Sequence, residues 1–200
     1  MKIFEVTQQN LTNKIPMLYL DMDGVQADFF TQWARWHGTK TGTPIERYKE
    51  IGDKEHREQS IKMLQDEGPK FVYRFFASLP VLDGFAELMN WIKSNNIPCT
   101  ILSAPLRSTP EDKEKIVTKA SIEGKQEWLM KHNPNLPAIF DGQKDKYALK
   151  GGHPNVLVDD FKKYINAWEA KGGIGVLHRW MNTDSTIARL EEIYRPFLNK

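Results

Sequence analysis

The chain has 200 residues, 40% of them hydrophobic, and a net charge of +2, which suits one globular domain with room for a small inserted subdomain. The near-neutral charge argues against strong, nonspecific nucleic-acid binding, and no apolar run approaches the ~20 residues that a membrane span requires. The single Cys99 can form no intrachain disulfide, and its apolar neighbours favour a buried thiol. The N-terminal segment lacks the apolar stretch of a signal peptide. We therefore expect a soluble cytoplasmic protein.

The first predicted element is a buried strand at residues 18–20 that leads directly into Asp21 and Asp23. Gly24 follows, and a glycine permits a tight turn or a positive φ where a chain leaves a sheet. A buried strand has no packing use for two carboxylates at its end. One interpretation is a site for a cation or a reacting phosphoryl group. The other, for Asp23 alone, is a turn in which its side chain caps the following helix.

The segment between about Ala27 and Leu82 contains no convincing strand. It holds many aromatic residues and a polar, helix-like stretch at 54–67, and Gly68-Pro69 interrupts it. We expect a helical cap subdomain at 27–82, inserted after the first strand of a core domain that comprises 1–26 and 83–200. The aromatic residues either form the core of this insertion, or some of them cover the site and stack on a flat substrate.

The rest of the chain alternates short apolar runs with helical patterns. Helices are predicted where apolar residues recur at i, i+3 and i+4 or i+7, from Phe85, Phe161 and Ile187. Strands are predicted at 99–103, 138–140, 156–159 and 174–177. This alternation is typical of βαβ units and predicts an α/β fold: a Rossmann-like three-layer α/β/α sandwich with a mainly parallel sheet.

Three of the predicted strands end in polar residues, namely Asp21, Ser103, and Asp159 followed by Asp160. Parallel strands place their carboxyl ends on one edge of the sheet, where doubly wound proteins bind their ligands. Two carboxylate clusters on one edge would repel each other unless a cation lay between them. Mg²⁺ prefers oxygen ligands, and no Cys/His spacing indicates zinc. The sequence therefore predicts a site for Mg²⁺ and phosphate at this edge.

The run Asp21-Met-Asp-Gly-Val25 resembles the first motif of the haloacid dehalogenase superfamily of phosphotransferases. Its extension to Phe29 is similar to the 5'(3')-deoxyribonucleotidases, while Ser103 matches the second motif and residues 156–160 match the fourth. The resemblance covers about residues 18–177. It implies hydrolysis of deoxyribonucleoside monophosphates, a small-molecule nucleotide substrate, with Asp21 as the nucleophile that forms an aspartyl-phosphate. Asp23 would protonate the leaving oxygen and then activate water.

The resemblance also implies the ligands of the metal and of the phosphate. Mg²⁺ would be held by Asp21, by the main-chain carbonyl of Asp23, and by one or both of Asp159 and Asp160. A phosphate oxygen would be bound by the Ser103 hydroxyl and by nearby backbone N–H groups such as that of Ala104. The nucleotidases usually carry Thr-Ser-Pro at this motif, whereas this chain has Ser103-Ala104-Pro105. That departure weakens the transfer of the substrate preference but not of the reaction.

A lysine is implied beside the phosphoryl group, and three candidates remain open. Lys146 best matches the nucleotidase pattern, Lys125 matches another family lysine, and Lys144 ranks third. Each of them could instead be an ordinary solvated surface charge. The positions that match residues near the nucleotidase substrate are Phe29, Phe76 and Arg107.

Three alternative functions remain open at this stage. A phosphatase of the same superfamily could act on a sugar phosphate or another small metabolite. A polynucleotide end-phosphatase would need an open basic groove, and a noncatalytic nucleotide-binding module would not need every catalytic residue type. We expect no membrane partner, and either a monomer or a homodimer.

Overall fold

The computed structural model describes residues 14–42, 54–179 and 182–198, and its centre is a five-stranded sheet. The strand order is β3-β2-β1-β6-β7, and all neighbouring strands are parallel. Two very short strands form a separate antiparallel pair. The strands are β1 (Leu18–Leu20), β2 (Cys99–Ser103), β3 (Ala138–Phe140), β4 (Leu149–Lys150), β5 (His153–Pro154), β6 (Val156–Asp159) and β7 (Ile174–Leu177).

Helices cover both faces of this sheet, which confirms the predicted α/β fold class. They are α1 (Phe29–Thr41), α2 (Lys54–Asp66), α3 (Pro69–Ala77), α4 (Phe85–Ser94), α5 (Ile116–His132), α6 (Lys162–Ala170) and α7 (Thr183–Leu198), with a 3₁₀ helix at Lys144–Tyr147. The sequence patterns predicted α4, α6 and α7. They did not predict α5, because its buried face includes Ser121, Gly124 and Lys125, which give no apolar stripe.

Side chains of each strand alternate between two apolar clusters, one on each face of the sheet. In β1, Leu18 and Leu20 are fully buried in the larger cluster, together with residues of α3, α4, α5 and α7. Tyr19 points to the opposite face, where its ring meets that of Trp168 on α6 with 5.5 Å between centroids. The central strand is therefore buried on both faces, and the polar residues that follow it lie at its carboxyl end.

Within residues 27–82, the predicted insertion, the described residues form the helices α1, α2 and α3. Buried side chains of these helices, including Trp33, Leu64 and Phe76, belong to the same apolar cluster as Leu18 and Leu20. The inserted helices therefore share a core with the sheet. Residues 43–53 lie outside the described residues, and the division into cap and core subdomains stays a prediction.

The insertion is anchored where α3 packs against α5. Gly124 of α5 lies against the main-chain carbonyl of Tyr73, and a Cβ at Gly124 would also come within 3.0 Å of the Cβ of Phe76. The indole N–H of Trp128, one turn further along, donates to the main-chain oxygen of Leu79 at 2.7 Å. The absence of a side chain at Gly124 thus permits the close approach of the two helices.

Two further predictions from the sequence concern the environment of Cys99 and the presence of membrane-spanning helices. Cys99 is buried in β2, and burial raises the pKa of its thiol to about 12, in agreement with the predicted core thiol. Among the helices of residues 14–42, 54–179 and 182–198, none has both the length and the apolar composition that crossing a bilayer requires.

Candidate active site

The carboxyl ends of β1, β2 and β6 lie side by side, because these three strands are neighbours at the centre of the sheet. Asp21 follows β1, Ser103 ends β2, and Asp159 ends β6. One carboxylate oxygen from each of Asp21, Asp159 and Asp160 lies within 4.8 Å of the other two. The structure therefore brings together the acidic residues that the sequence placed at this edge.

The turn after β1 fixes the carboxylate of Asp21. Its Oδ1 accepts a hydrogen bond from the main-chain N–H of Met22 at 2.7 Å, and the residue is only 6% exposed. Gly24 has a φ of +75°, which favours glycine, and its N–H closes the turn on the oxygen of Ala27 at 2.9 Å. A Cβ at Gly24 would lie 2.7 Å from the carboxylate of Asp160. Gly24 therefore allows both the turn and the close approach of Asp160, the residue after β6.

Lys144 lies fully buried between two of the carboxylates. Its ammonium is 2.9 Å from Oδ1 of Asp21 and 2.6 Å from Oδ2 of Asp159, and it sits 4.7 Å from the centre of the Tyr164 ring. Burial opposes the charge of Lys144, but the carboxylates of Asp21 and Asp159 outweigh it and raise the pKa of the ammonium. The charged ammonium of Lys144 therefore lies between the carboxylates of Asp21 and Asp159, which follow or end β1 and β6.

Lys125 approaches the same site from the middle of α5. Its ammonium is fully buried and makes three contacts: Oδ2 of Asp23 at 2.7 Å, the main-chain oxygen of Ala104 at 2.7 Å and Oγ of Ser103 at 2.9 Å. It also lies 4.9 Å from the centre of the Phe76 ring. A buried ammonium requires such partners, so Lys125 joins the ends of β1 and β2.

Asp23 has an unusual environment for a carboxylate. Burial raises its pKa, as does the neighbouring Asp21, and together they outweigh the lowering effect of Lys125. Its Oδ1 is buried and accepts no hydrogen bond from any described residue. A buried acceptor without a donor is costly, so this oxygen is suited either to carry a proton or to meet a ligand.

The structure corrects the order of the three candidate lysines. Lys146, ranked first from the sequence, has a side chain that is 51% exposed and pairs with Asp141. A 3₁₀ helix has three residues per turn, so residues two positions apart cannot share a face. Lys144 consequently points at the carboxylates and Lys146 points away. Lys125 and Lys144 are the lysines that the structure places at the site.

The three predicted substrate-pocket residues differ in how far they are exposed. The rings of Phe29 and Phe76 are stacked, with 6.1 Å between centroids, but Phe76 is only 2% exposed and also packs on Phe75. Phe76 therefore belongs to the core, whereas Phe29 is half-buried. Arg107 is exposed, and its main-chain oxygen accepts a hydrogen bond from the side chain of Gln65 on α2.

The net charge of the site is compatible with a bound divalent cation. Four carboxylates (Asp21, Asp23, Asp159 and Asp160) face two ammonium groups, so the ionised site carries two excess negative charges. The available donors are oxygen atoms, the set that Mg²⁺ prefers and that zinc sites rarely use alone. The cluster of Asp21, Asp159 and Asp160 thus fits Mg²⁺ in both charge and chemistry.

Sequence reasoning did not single out three polar residues that contact this site. Gln26 and Asn133 are buried and hydrogen-bonded to each other, and Gln26 also reaches the main-chain oxygen of Asp21. Tyr164 lies beside Lys144. The one available signal was Gln26 itself, a polar residue between Val25 and Ala27 in a segment that reads as buried.

No protein-family model matches the chain, and no curated protein matches its sequence. Solved structures resemble it only distantly. It is similar to CbbY from Rhodobacter sphaeroides, solved in complex with phosphate, at 14% identity over 84% of this chain and 88% of that one, with a TM-score of 0.48. A putative β-phosphoglucomutase from Thermotoga maritima has 17% identity over 90% and 100% of the two chains and a TM-score of 0.45.

A third similar structure is a haloacid dehalogenase-type hydrolase of family IA, variant 3, from Entamoeba histolytica. It has 15% identity over 89% of both chains and a TM-score of 0.46. None of these three is described as a nucleotidase, so the narrower resemblance to deoxyribonucleotidases stays a prediction. At such low similarity, nothing about the chemistry of this chain follows from them.

Proposed function

We propose that this chain is a phosphomonoesterase that forms an aspartyl-phosphate on Asp21. The observation that carries the proposal is the pairing of two nearby aspartates with two different buried lysines. Asp21 contacts Lys144, and Asp23 contacts Lys125. Two carboxylates of one turn therefore have distinct environments, as a nucleophile and a general acid require.

The first step needs an ionised, oriented carboxylate at Asp21. The ammonium of Lys144 lies 2.9 Å from Oδ1 of Asp21, and the N–H of Met22 fixes the direction of the carboxylate. A carboxylate oxygen of Asp21 attacks phosphorus, and the bond between phosphorus and the ester oxygen of the substrate breaks. The leaving oxygen takes a proton from Asp23, whose raised pKa supports its role as an acid.

The second step reverses the role of Asp23. The carboxylate of Asp23, now without its proton, takes a proton from water while the water oxygen attacks phosphorus. The bond between phosphorus and Asp21 breaks, inorganic phosphate leaves, and both aspartates return to their starting states. Lys125 donates a hydrogen bond to Asp23 in the structure, and its charge would moderate the change in charge of Asp23 between the two steps.

The remaining polar groups support binding of the phosphoryl group. Mg²⁺ held by Asp21, the main-chain carbonyl of Asp23, Asp159 and Asp160 would supply positive charge beside the phosphoryl oxygens. The Ser103 hydroxyl is buried and accepts a hydrogen bond from Lys125, and its own proton would be donated to a phosphate oxygen at the end of β2. This set also argues against a binding-only module, because a binding site has no need of the proton-carrying Asp23.

The substrate class is a finer proposal. Nucleoside monophosphates are supported by the resemblance at residues 21–29 and by the half-buried Phe29, whose ring stacks on that of Phe76 beside Lys125. A small phosphometabolite fits the observed geometry equally well, because the core position of Phe76 leaves little aromatic surface for a base. A panel of dUMP, dTMP and sugar phosphates would decide between them.

Replacement of the nucleophile tests the reaction itself. Asp21→Asn should abolish Mg²⁺-dependent phosphate release from every substrate that the wild type accepts, because an amide cannot form the acyl phosphate of the first step. Asp66→Asn is the matched control, since Asp66 is exposed on α2 and pairs with Lys62. Undiminished turnover by Asp21→Asn would refute the nucleophile, and hydrolysis of sugar phosphates alone would refute only the nucleotide substrate.

A further inference from the structure

Gln26 is a fully buried glutamine whose side-chain amide is hydrogen-bonded at both ends. Its Nε2 donates to the main-chain oxygen of Asp21 at 2.8 Å, and its Oε1 accepts from Nδ2 of Asn133 at 2.6 Å. The carbonyl of Asp21 can only accept, so Nε2 must face it, and the donor on Asn133 agrees with that orientation. The two amides form a chain that ends on the backbone of the proposed nucleophile.

The hydrogen bond from Gln26 acts on the same peptide group that orients the Asp21 carboxylate. The peptide between Asp21 and Met22 carries the carbonyl that Gln26 binds and the N–H that donates to Oδ1 of Asp21. Because a peptide group is planar, the direction of its carbonyl sets the direction of its N–H. A hydrogen bond that fixes the main-chain oxygen of Asp21 therefore also fixes the direction of the Asp21 carboxylate.

Asn133 connects this chain to the helix that carries Lys125. It is 5% exposed and lies at the C-terminal cap of α5, where its main-chain N–H donates to the oxygen of Leu129 at 2.7 Å. Lys125, two turns earlier on α5, contacts Asp23. The turn of residues 21–26 is thus attached to α5 at two points, one for each of the proposed catalytic aspartates.

We propose that Gln26 is a positioning residue for Asp21, and that Asn133 fixes the orientation of its amide. This inference rests on the proposed function, because it assigns Gln26 to the step in which Asp21 attacks phosphorus. Gln26 touches neither substrate nor phosphate in that step. It acts through the Asp21–Met22 peptide, which it holds in the conformation that aims the carboxylate.

The test replaces Gln26 by Met, which keeps a long unbranched side chain and removes the amide. The direct readout is the Met22 amide proton in a ¹⁵N–¹H spectrum of the metal-free protein. An N–H that donates to a carboxylate resonates downfield, and in Gln26→Met this resonance should move upfield and exchange about tenfold faster or more. In the same variant kcat for phosphate release should fall about tenfold or more, with KM changed less than about twofold.

A double-mutant comparison separates positioning from simple packing. Asn133→Ala should reduce kcat less than Gln26→Met does, and it should have no further effect on kcat in the Gln26→Met protein, because it acts only through Gln26. Gln126→Met, the same replacement at an exposed position of α5, is the control and should change neither readout. If Gln26→Met does not fold, the Met22 resonance and kcat of Asn133→Ala decide the question.

The possible failures are distinguishable. An unchanged Met22 resonance in Gln26→Met, or a normal kcat in the folded variant, would overturn the positioning role. A wild-type protein that hydrolyses no phosphoester would overturn the proposed function. In that case the Met22 resonance alone would still show whether Gln26 orients the Asp21 carboxylate.

Discussion

Nζ of the buried Lys125 lies 2.7 Å from Oδ2 of the partly exposed Asp23, and this contact joins the middle of α5 to the turn after β1. The two residues are separated by 102 positions in the chain. The pair therefore depends on the packing of α5 against the sheet and against α3. It also places a fixed positive charge beside the group that we assign as the general acid and base.

Removal of this charge should change both the rate and the pH profile. Lys125→Met should lower kcat about a hundredfold, the magnitude typical of losing one preorganised electrostatic contact. Asp23 must be protonated for the first step, so the rate falls as pH rises through its pKa. Lys125 lowers that pKa; its removal should therefore move the alkaline limb of kcat to higher pH.

The matched control for this variant lies on the same helix. Lys131 is exposed and pairs with Glu127, and Lys131→Met should leave the pH profile unchanged. Measurement of kcat between pH 5 and 10 with saturating substrate gives both profiles. An alkaline limb that stays in place in Lys125→Met would contradict the assignment of Asp23 as the acid.

The two lysines of the 3₁₀ helix make a second, paired test. Lys144→Met should reduce phosphate release about a hundredfold or more, because it leaves Asp21 and Asp159 without the cation between them. Lys146→Met should stay within about twofold of wild type, since the ammonium is half exposed and pairs with Asp141. A steady-state assay of both variants decides, and equal losses would restore Lys146 to the site.

Metal binding should stabilise the protein more at high pH than at low pH. Burial raises the pKa of Asp159 from 3.8 to about 8 against the lowering effect of Lys144, and Asp21 and Asp160 raise it further. A carboxyl group with a raised folded-state pKa gives its full stability below its unfolded value and loses it as pH rises through the folded one. Without metal, the unfolding temperature should therefore fall between about pH 4 and pH 8.

Mg²⁺ should relieve that loss, because it favours the ionised carboxylates. We expect the increase in unfolding temperature on adding Mg²⁺ to be larger at pH 8 than at pH 5, as measured by thermal denaturation with Mg²⁺ and with EDTA. Asp159→Asn should remove most of the difference between the two pH values. An Mg²⁺ effect that is the same at both would count against a metal at this cluster.

Gly24→Ala should damage stability and metal binding together. An alanine at a φ of +75° costs about 1–2 kcal/mol, and its Cβ would press on the carboxylate of Asp160. We expect a lower free energy of unfolding and weaker Mg²⁺ binding by calorimetry. Gly142→Ala is the control, because Gly142 lacks a positive φ and its added Cβ would meet no atom within 4 Å in the described part of the chain.

The strand ends of this fold were predictable because their signal is local. A short apolar run followed by Asp21 or Asp159 identifies both the strand and its polar end, and parallel pairing then brings the two together. The helix α5 was not predictable in the same way, because Gly124 and Lys125 are buried for reasons that lie elsewhere in the chain. Gly124 leaves space for the main-chain oxygen of Tyr73, and the ammonium of Lys125 contacts the carboxyl group of Asp23.

The sequence also could not predict which of Lys144 and Lys146 faces the carboxylates. Both lie in the same charged run, and only the 3₁₀ conformation of residues 144–147 decides which one faces the carboxylates. Gln26 illustrates a third case. A single buried polar residue can be noticed in a sequence, but its partner Asn133 is 107 positions away.

Gly124 and Lys125 are consecutive residues with opposite requirements, and together they fix the rotation of α5 about its own axis. Successive residues of a helix point about 100° apart. A shift of the helix by one residue in one direction would set Lys125 against α3 and Gln126 beside Asp23. A shift in the other direction would set Glu123 against α3 and Gly124 beside Asp23. The insertion or deletion of one residue in α5 would lose the close helix contact and the buried ammonium at once, so the spacing of this helix is as restricted as the identity of its residues.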